Sequence, residues 1–218
     1  MITFAFWKIN PRYIEEFHEK GGFNDGNAIN PSLAKKIMDT IVPLNKISEH
    51  EAASLLTREL VKLEEPETRD YLSALMGDDS EAIKEMIKSE KVSKPFVLLS
   101  AAAFNAGNTA KLMLANETDI NAADPDGWTP LLVACTHNMA DMAWYLVNNG
   151  ADINKKSQYG TTALMLAVAN SNFQVAQLLI QKGALVNERM FDYTALRFAR
   201  DIDRQDIVEL LLTSGATE

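Results

Sequence analysis

The chain has 218 residues, 47% of them apolar and 23% charged, which is the balance of a folded globular protein and not of a long disordered tract. Its formal net charge of -9 is spread over both halves. That charge argues against general nucleic-acid binding and favours a basic or mixed-charge partner. Cys135 is the only cysteine, so no internal disulfide can form and no oxidising compartment is required. The apolar stretch Met1–Trp7 is short and meets charged residues at once, so it does not read as a signal peptide. No run approaches the roughly 18 apolar residues of a membrane span. The expectation is a soluble cytoplasmic protein that engages neither membrane nor nucleic acid.

Residues 1–65 do not repeat and read as a helical region. Asn10-Pro11 is a cap-and-proline opening for a helix over 12–20, stopped at Gly21-Gly22. A polar loop continues to Asn30. Asn30-Pro31 opens a second helix, with Leu33, Ile37, Ile41 and Val42 on its apolar side. Ser48-Glu-His-Glu51 is a capping box, and Ala52, Leu55, Leu56, Leu60 and Leu63 come after it at helical spacing. Glu65-Pro66 ends that third helix. With no Gly/Ser/Pro-rich linker beyond it, the region reads as an extended cap on the segment that begins at residue 66.

From residue 66 onward the sequence is periodic. Asp126-Gly-Trp-Thr-Pro-Leu-Leu-Val-Ala134 recurs as Tyr159-Gly-Thr-Thr-Ala-Leu-Met-Leu-Ala167 and as Phe191-Asp-Tyr-Thr-Ala-Leu-Arg-Phe-Ala199, at spacings of 33 and 32 residues. Asn149-Gly-Ala-Asp-Ile-Asn154, Lys182-Gly-Ala-Leu-Val-Asn187 and Ser214-Gly-Ala216 keep the same steps. Thr118-Asp-Ile-Asn121 implies a more drifted unit over 94–126. In each unit Thr129, Thr162 or Thr194 can cap a short apolar helix. A polar break comes next, then a second apolar helix, and Gly150, Gly183 or Gly215 ends it in a left-handed conformation. One such helix pair cannot bury its apolar faces, but stacked neighbours can.

These residues resemble the ankyrin repeat, whose pattern is an extended loop, Gly-x-Thr-Pro-Leu-His, two antiparallel helices and Gly-Ala-Asp-x-Asn. The resemblance covers residues 94–218. Tyr71 to Ile87 carries the two-helix pattern without a loop and reads as a capping repeat over 66–93. The resemblance implies an all-α solenoid of about five helix pairs with an N-terminal helical cap: residues 1–65, then a repeat domain over 66–218. The family histidine is replaced by Leu132, Met165 and Arg197, which puts its usual bonding between repeats in question. Proline survives only as Pro130, and Asp192 stands where the last loop should have glycine.

No catalytic or metal constellation emerges, and no cofactor is expected. His18, His50 and His137 have no ligand at metal spacing. Cys135 and His137 are near neighbours, but Cys135 lies in the small apolar run where Ala102 and Val168 stand in sister units, so it reads as a buried small residue. Asp124-Pro-Asp126-Gly127 is an inter-repeat turn rather than a calcium loop. Phosphate loops and nucleophile elbows are absent.

The resemblance implies instead that a protein partner meets the loop tips and the exposed inner-helix positions of the concave face. On this chain those are Asp126, Trp128, Tyr159, Phe191 and Tyr193 in the loops, and Phe104, Thr136, His137, Asn170 and Asp201 on the inner helices. Four of these loop residues are aromatic where turn tips normally favour small polar residues, and aromatics dominate binding hot spots. The alternative is that they fold back on the neighbouring repeat. The role favoured is a bacterial ankyrin protein sequestering one dedicated partner, such as a toxin-neutralising immunity protein. An effector or adaptor binding a host or regulatory protein comes next, and a small enzyme in residues 1–65 guided by the repeats comes last.

Overall fold

The computed structural model describes residues 66–89 and 92–217, and the helices expected within 1–65 lie outside them. The chain divides into two compact units, Met1–Gly77 and Asp78–Glu218. The described part of the first is helix α1 (Pro66–Met76), which buries Tyr71, Ala74 and Leu75.

The second unit is a stack of helices. It begins with α2 (Ser80–Lys88), capped by the Asp79 carboxylate, which accepts from the Ala82 amide at 3.1 Å. Four helix pairs come after it: α3 (Lys94–Phe104) with α4 (Gly107–Ala115), α5 (Pro130–Thr136) with α6 (Ala140–Asn148), α7 (Ala163–Ala169) with α8 (Phe173–Gln181), and α9 (Ala195–Asp201) with α10 (Gln205–Thr213). The inner helices α3, α5, α7 and α9 pack in chain order, as do the outer helices α6, α8 and α10, while α2 packs on α4. Among the described residues the only β pairing is an isolated bridge between Met190 and Tyr193. The result is the all-α repeat solenoid that the periodicity implies.

The local chemistry is the expected one. The Thr129, Thr162 and Thr194 hydroxyls accept from the amides of Leu132, Met165 and Arg197 at 3.2–3.3 Å, opening α5, α7 and α9. All three are short; α5 and α7 are apolar all round and buried almost throughout because neighbours in the row cover them, whereas α9 carries the exposed Arg197, Arg200 and Asp201. The column Gly150, Gly183, Gly215 adopts φ near +90°, and Glu117 holds the equivalent place in the drifted unit at φ 59°.

Bonding between repeats does not need the missing histidine. Asn121, Asn154 and Asn187 each accept, through the side-chain oxygen, from a backbone amide of the next unit: Asp152, Leu185 and Thr217, at 2.8–2.9 Å. Asn154 and Asn187 also donate forward, to the carbonyls of Gly183 and Gly215. Asn170 reaches backward, donating to the carbonyls of Cys135 at 2.9 Å and Thr136 at 3.2 Å. Side-chain amides can donate and accept at once, which suits them to clamping backbone that the helix ends leave unpaired.

Candidate protein-interaction face

Three loops precede α5, α7 and α9, and each is folded by its own residues. In the first, Asp124 closes the turn: one carboxylate oxygen accepts from the amides of Asp126 at 3.0 Å and Trp128 at 2.8 Å. Burial raises the Asp124 pKa, against the lowering effect of those two amides. In the second loop the Ser157 hydroxyl does the same work for Tyr159 and Thr161, both at 3.3 Å. Gly160 is required there. Its φ is +82°, and an added Cβ would stand 2.8 Å from the Arg189 carbonyl oxygen of the next loop. The two loops are joined directly, by the Gln158 amide on the Asp126 carbonyl at 2.9 Å and by the Gln158 side chain on the Asp126 carboxylate.

The third loop is one residue shorter, which accounts for the 32-residue spacing. The first two close through a bond from residue i to i+4: Asp124 to Trp128 and Ser157 to Thr161. The third closes as a tight hairpin, with Met190 and Tyr193 exchanging two backbone bonds of 2.9 Å. Its positive φ therefore falls on Phe191 (52°), at a place where such hairpins favour glycine. The Phe191 side chain is 66% exposed. Tyr193 is half-buried and stacks on Phe198, with ring centroids 5.0 Å apart. The Arg197 guanidinium lies over the Tyr193 ring, 4.9 Å from its centre.

The expected contact residues separate into two groups. Two of them must be corrected. Trp128 is only 3% exposed and belongs to the interior, because the Asp124 bonds draw its backbone inward and a ring of that size is worth more buried than solvated. Thr136 is 6% exposed, and its hydroxyl donates back to the Leu132 carbonyl of its own helix at 2.8 Å. Asn170 is partly exposed but bound to the preceding repeat through the Cys135 and Thr136 carbonyls. The others reach the surface to differing degrees: Phe191 and Asp201 are exposed, while Phe104, Asp126, His137, Tyr159 and Tyr193 are half-buried. Burial pushes the His137 pKa down to about 4, so its imidazole is neutral near pH 7. Burial also raises the Tyr159 phenol, and the nearby Asp126 carboxylate adds to this.

Arg197, exposed on α9, was not among the expected contact residues. The sequence signal for it is its place in the repeat, since Leu132 and Met165, its counterparts, are core residues. Cys135 is buried and its thiol is pushed up to about 12, which leaves almost no thiolate at neutral pH. Among the described residues no three His, Cys, Asp or Glu side chains converge as a metal site.

A family model for ankyrin repeats in three copies matches residues 71–157 and 153–217. The chain belongs to the ankyrin-repeat family. No curated protein matches it. As an ankyrin-repeat protein it is a protein–protein interaction module, in a family that is typically non-enzymatic. No described helix is long and apolar enough to cross a membrane.

Proposed function

We propose that this ankyrin-repeat protein binds one dedicated protein of mixed charge through its loop tips and inner-helix face, and that the bound state neutralises that partner, as an immunity protein neutralises a toxin. The observation that carries the binding reading is Phe191. A large apolar side chain stands 66% exposed on a backbone conformation unfavourable to it, and neither folding nor solubility gains from that. Tyr159, Tyr193, Asp126 and Asp201 are the other side chains of this face offered to the partner, with Phe104 and His137 beside them. The net charge of -9 would speed encounter with basic surface on the partner.

The test is an affinity capture with the intact chain beside a Tyr159→Ala/Phe191→Ala double variant, read by mass spectrometry and then by titration of the captured protein. One stoichiometric partner, bound about tenfold or more weakly by the variant at an unchanged melting temperature, is the expected result (~1.4 kcal/mol). Equal capture by both baits would reject this face. A partner whose activity persists when bound would reject neutralisation in favour of an adaptor or effector role.

A further inference from the structure

We propose that Asn149-Gly150, at the end of α6, is a site of spontaneous covalent modification: the Gly150 nitrogen closes on the Asn149 side chain, ammonia leaves, and the product loosens the tie between two repeats. This chemistry needs no partner and is independent of the binding face.

Asn149 is the only asparagine in the chain that precedes a glycine. It is the C-cap of α6, and Asn148, Asn149 and Gly150 are all exposed. A Cβ added at Gly150 would meet nothing within 4 Å, so the space beside the attacking residue is open. The Gly150 amide is also the least firmly held of its column. It donates to the Val147 carbonyl at 3.3 Å, against 3.0 Å for Gly183 and 3.1 Å for Gly215 on their own carbonyls. In those two units Lys182 and Ser214 stand where the asparagine would have to be. Asn116 holds that place in the drifted unit and has the same cap: its side-chain nitrogen donates to the Leu112 carbonyl at 2.7 Å, as that of Asn149 does to the Tyr145 carbonyl at 2.7 Å. Glu117 comes after Asn116, however, and a side chain on the attacking residue hinders ring closure. The chain thus carries its own control.

In the closed cap Asn149 has ψ 14° and its side chain is turned back along α6 to Tyr145. The ring closes when the last turn frays, and terminal turns open at little cost. The Gly150 nitrogen, having lost its proton, bonds to Cγ of Asn149. The Cγ–Nδ2 bond breaks, and the leaving nitrogen takes up protons and departs as ammonia. Water then opens the succinimide at either carbonyl. One opening gives aspartate; the other gives isoaspartate, in which the main chain runs through the former side chain and is longer. Either product removes the donor to the Tyr145 carbonyl and places a negative charge at a helix C-terminus, where the dipole is already negative. Isoaspartate also shifts the segment just beyond. There the Ala151 amide bonds the Leu146 carbonyl at 3.0 Å, and the Asp152 amide bonds Asn121 of the preceding unit at 2.8 Å. That second bond is the tie that loosens.

The experiment is incubation of the full chain at neutral and at mildly alkaline pH, with peptide mapping by mass spectrometry and urea unfolding at intervals. A mass gain equal to water minus ammonia should build up at Asn149, faster at the higher pH and several-fold ahead of Asn116. Part of the product should be isoaspartate, seen as a second chromatographic form of the same mass. The urea midpoint should fall as product accumulates, and deuterium exchange at the Asp152 amide should quicken. An Asn149→Gln chain keeps the amide but would have to close a larger ring, so it should hold both mass and midpoint over the same period. Three outcomes would each overturn the proposal: Asn149 intact in the folded chain over a period that converts it in the guanidinium-unfolded chain, conversion no faster than at Asn116, or a converted chain that unfolds like the fresh one.

Discussion

At the scale of single residues, position in the repeat and actual burial part company at Trp128. Its loop place matches those of Thr161 and Tyr193, yet it is interior, and its indole Nε1 has no hydrogen-bond partner among the described residues. Trp128→Ala should therefore act on stability, lowering it by about 3 kcal/mol or more in urea unfolding. Phe191→Gly should leave the unfolding midpoint unchanged or raise it. A Trp128→Ala variant that melts like the parent would place the ring on the surface after all. His137 gives a pH prediction. Its folded-state pKa is depressed from 6.5 to about 4, so the unfolded chain binds more protons between those values. The contribution of neutral His137 is thus complete above pH 6.5 and is lost as the pH falls toward 4. Urea midpoints at pH 7 and pH 5 should differ less in His137→Gln than in the parent, and an equal difference would show that His137 does not titrate in that window.

At the scale of elements, α2, α3, α5, α7, α8 and α9 open on side-chain caps of their own and α6 and α10 do not, while the cap of α4 comes from another unit. The residue before α4, Ala106, offers no side-chain bond. Asp78, in the turn before α2, supplies it instead: its carboxylate accepts from the Asn108 amide at 2.7 Å and the Thr109 amide at 2.8 Å. A negative charge on the first amides of a helix also suits the helix dipole. Asp78→Ala should cost about 1–2 kcal/mol, and Asp78→Asn less, since an amide oxygen can still accept. Equal losses in the two would mean that the turn, and not the cap, is what Asp78 supports. Local signals sufficed for the Thr129, Thr162 and Thr194 caps because donor and acceptor lie three residues apart. The Asp78 cap spans about 30 residues and depends on which units are stacked.

At the scale of the whole stack, each unit needs its neighbours to bury the apolar faces that its own helix pair leaves open. The inner row buries Leu132, Met165 and Leu196 between successive helices, and the asparagines at 121, 154 and 187 tie each unit's end to the next. Deleting residues 188–218 would uncover α7 and α8 and break the Asn187 bonds. The shortened chain should unfold at lower urea with a smaller slope, because less surface is exposed on unfolding. An unchanged midpoint would show that the last unit is not coupled to the rest.

The periodic frame was legible in the residues alone: the paired helices, the threonine caps, the glycine ends and the interior place of Cys135. Each depends on residue types a few positions apart, and repetition made those signals mutually reinforcing. Which loop aromatics stay outside was decided only in three dimensions. Trp128 and Phe191 both stand at loop tips in the sequence, but two bonds with Asp124, one to its carboxylate and one from its amide, turn the first inward, and a one-residue deletion pushes the second out at positive φ. The use of Asn170 between repeats and the placing of Arg197 over the Tyr193 ring are likewise products of tertiary structure. The physical reason is the same in each case: local pattern determines which helix forms, while burial and pairing depend on the neighbouring repeat that packs beside it.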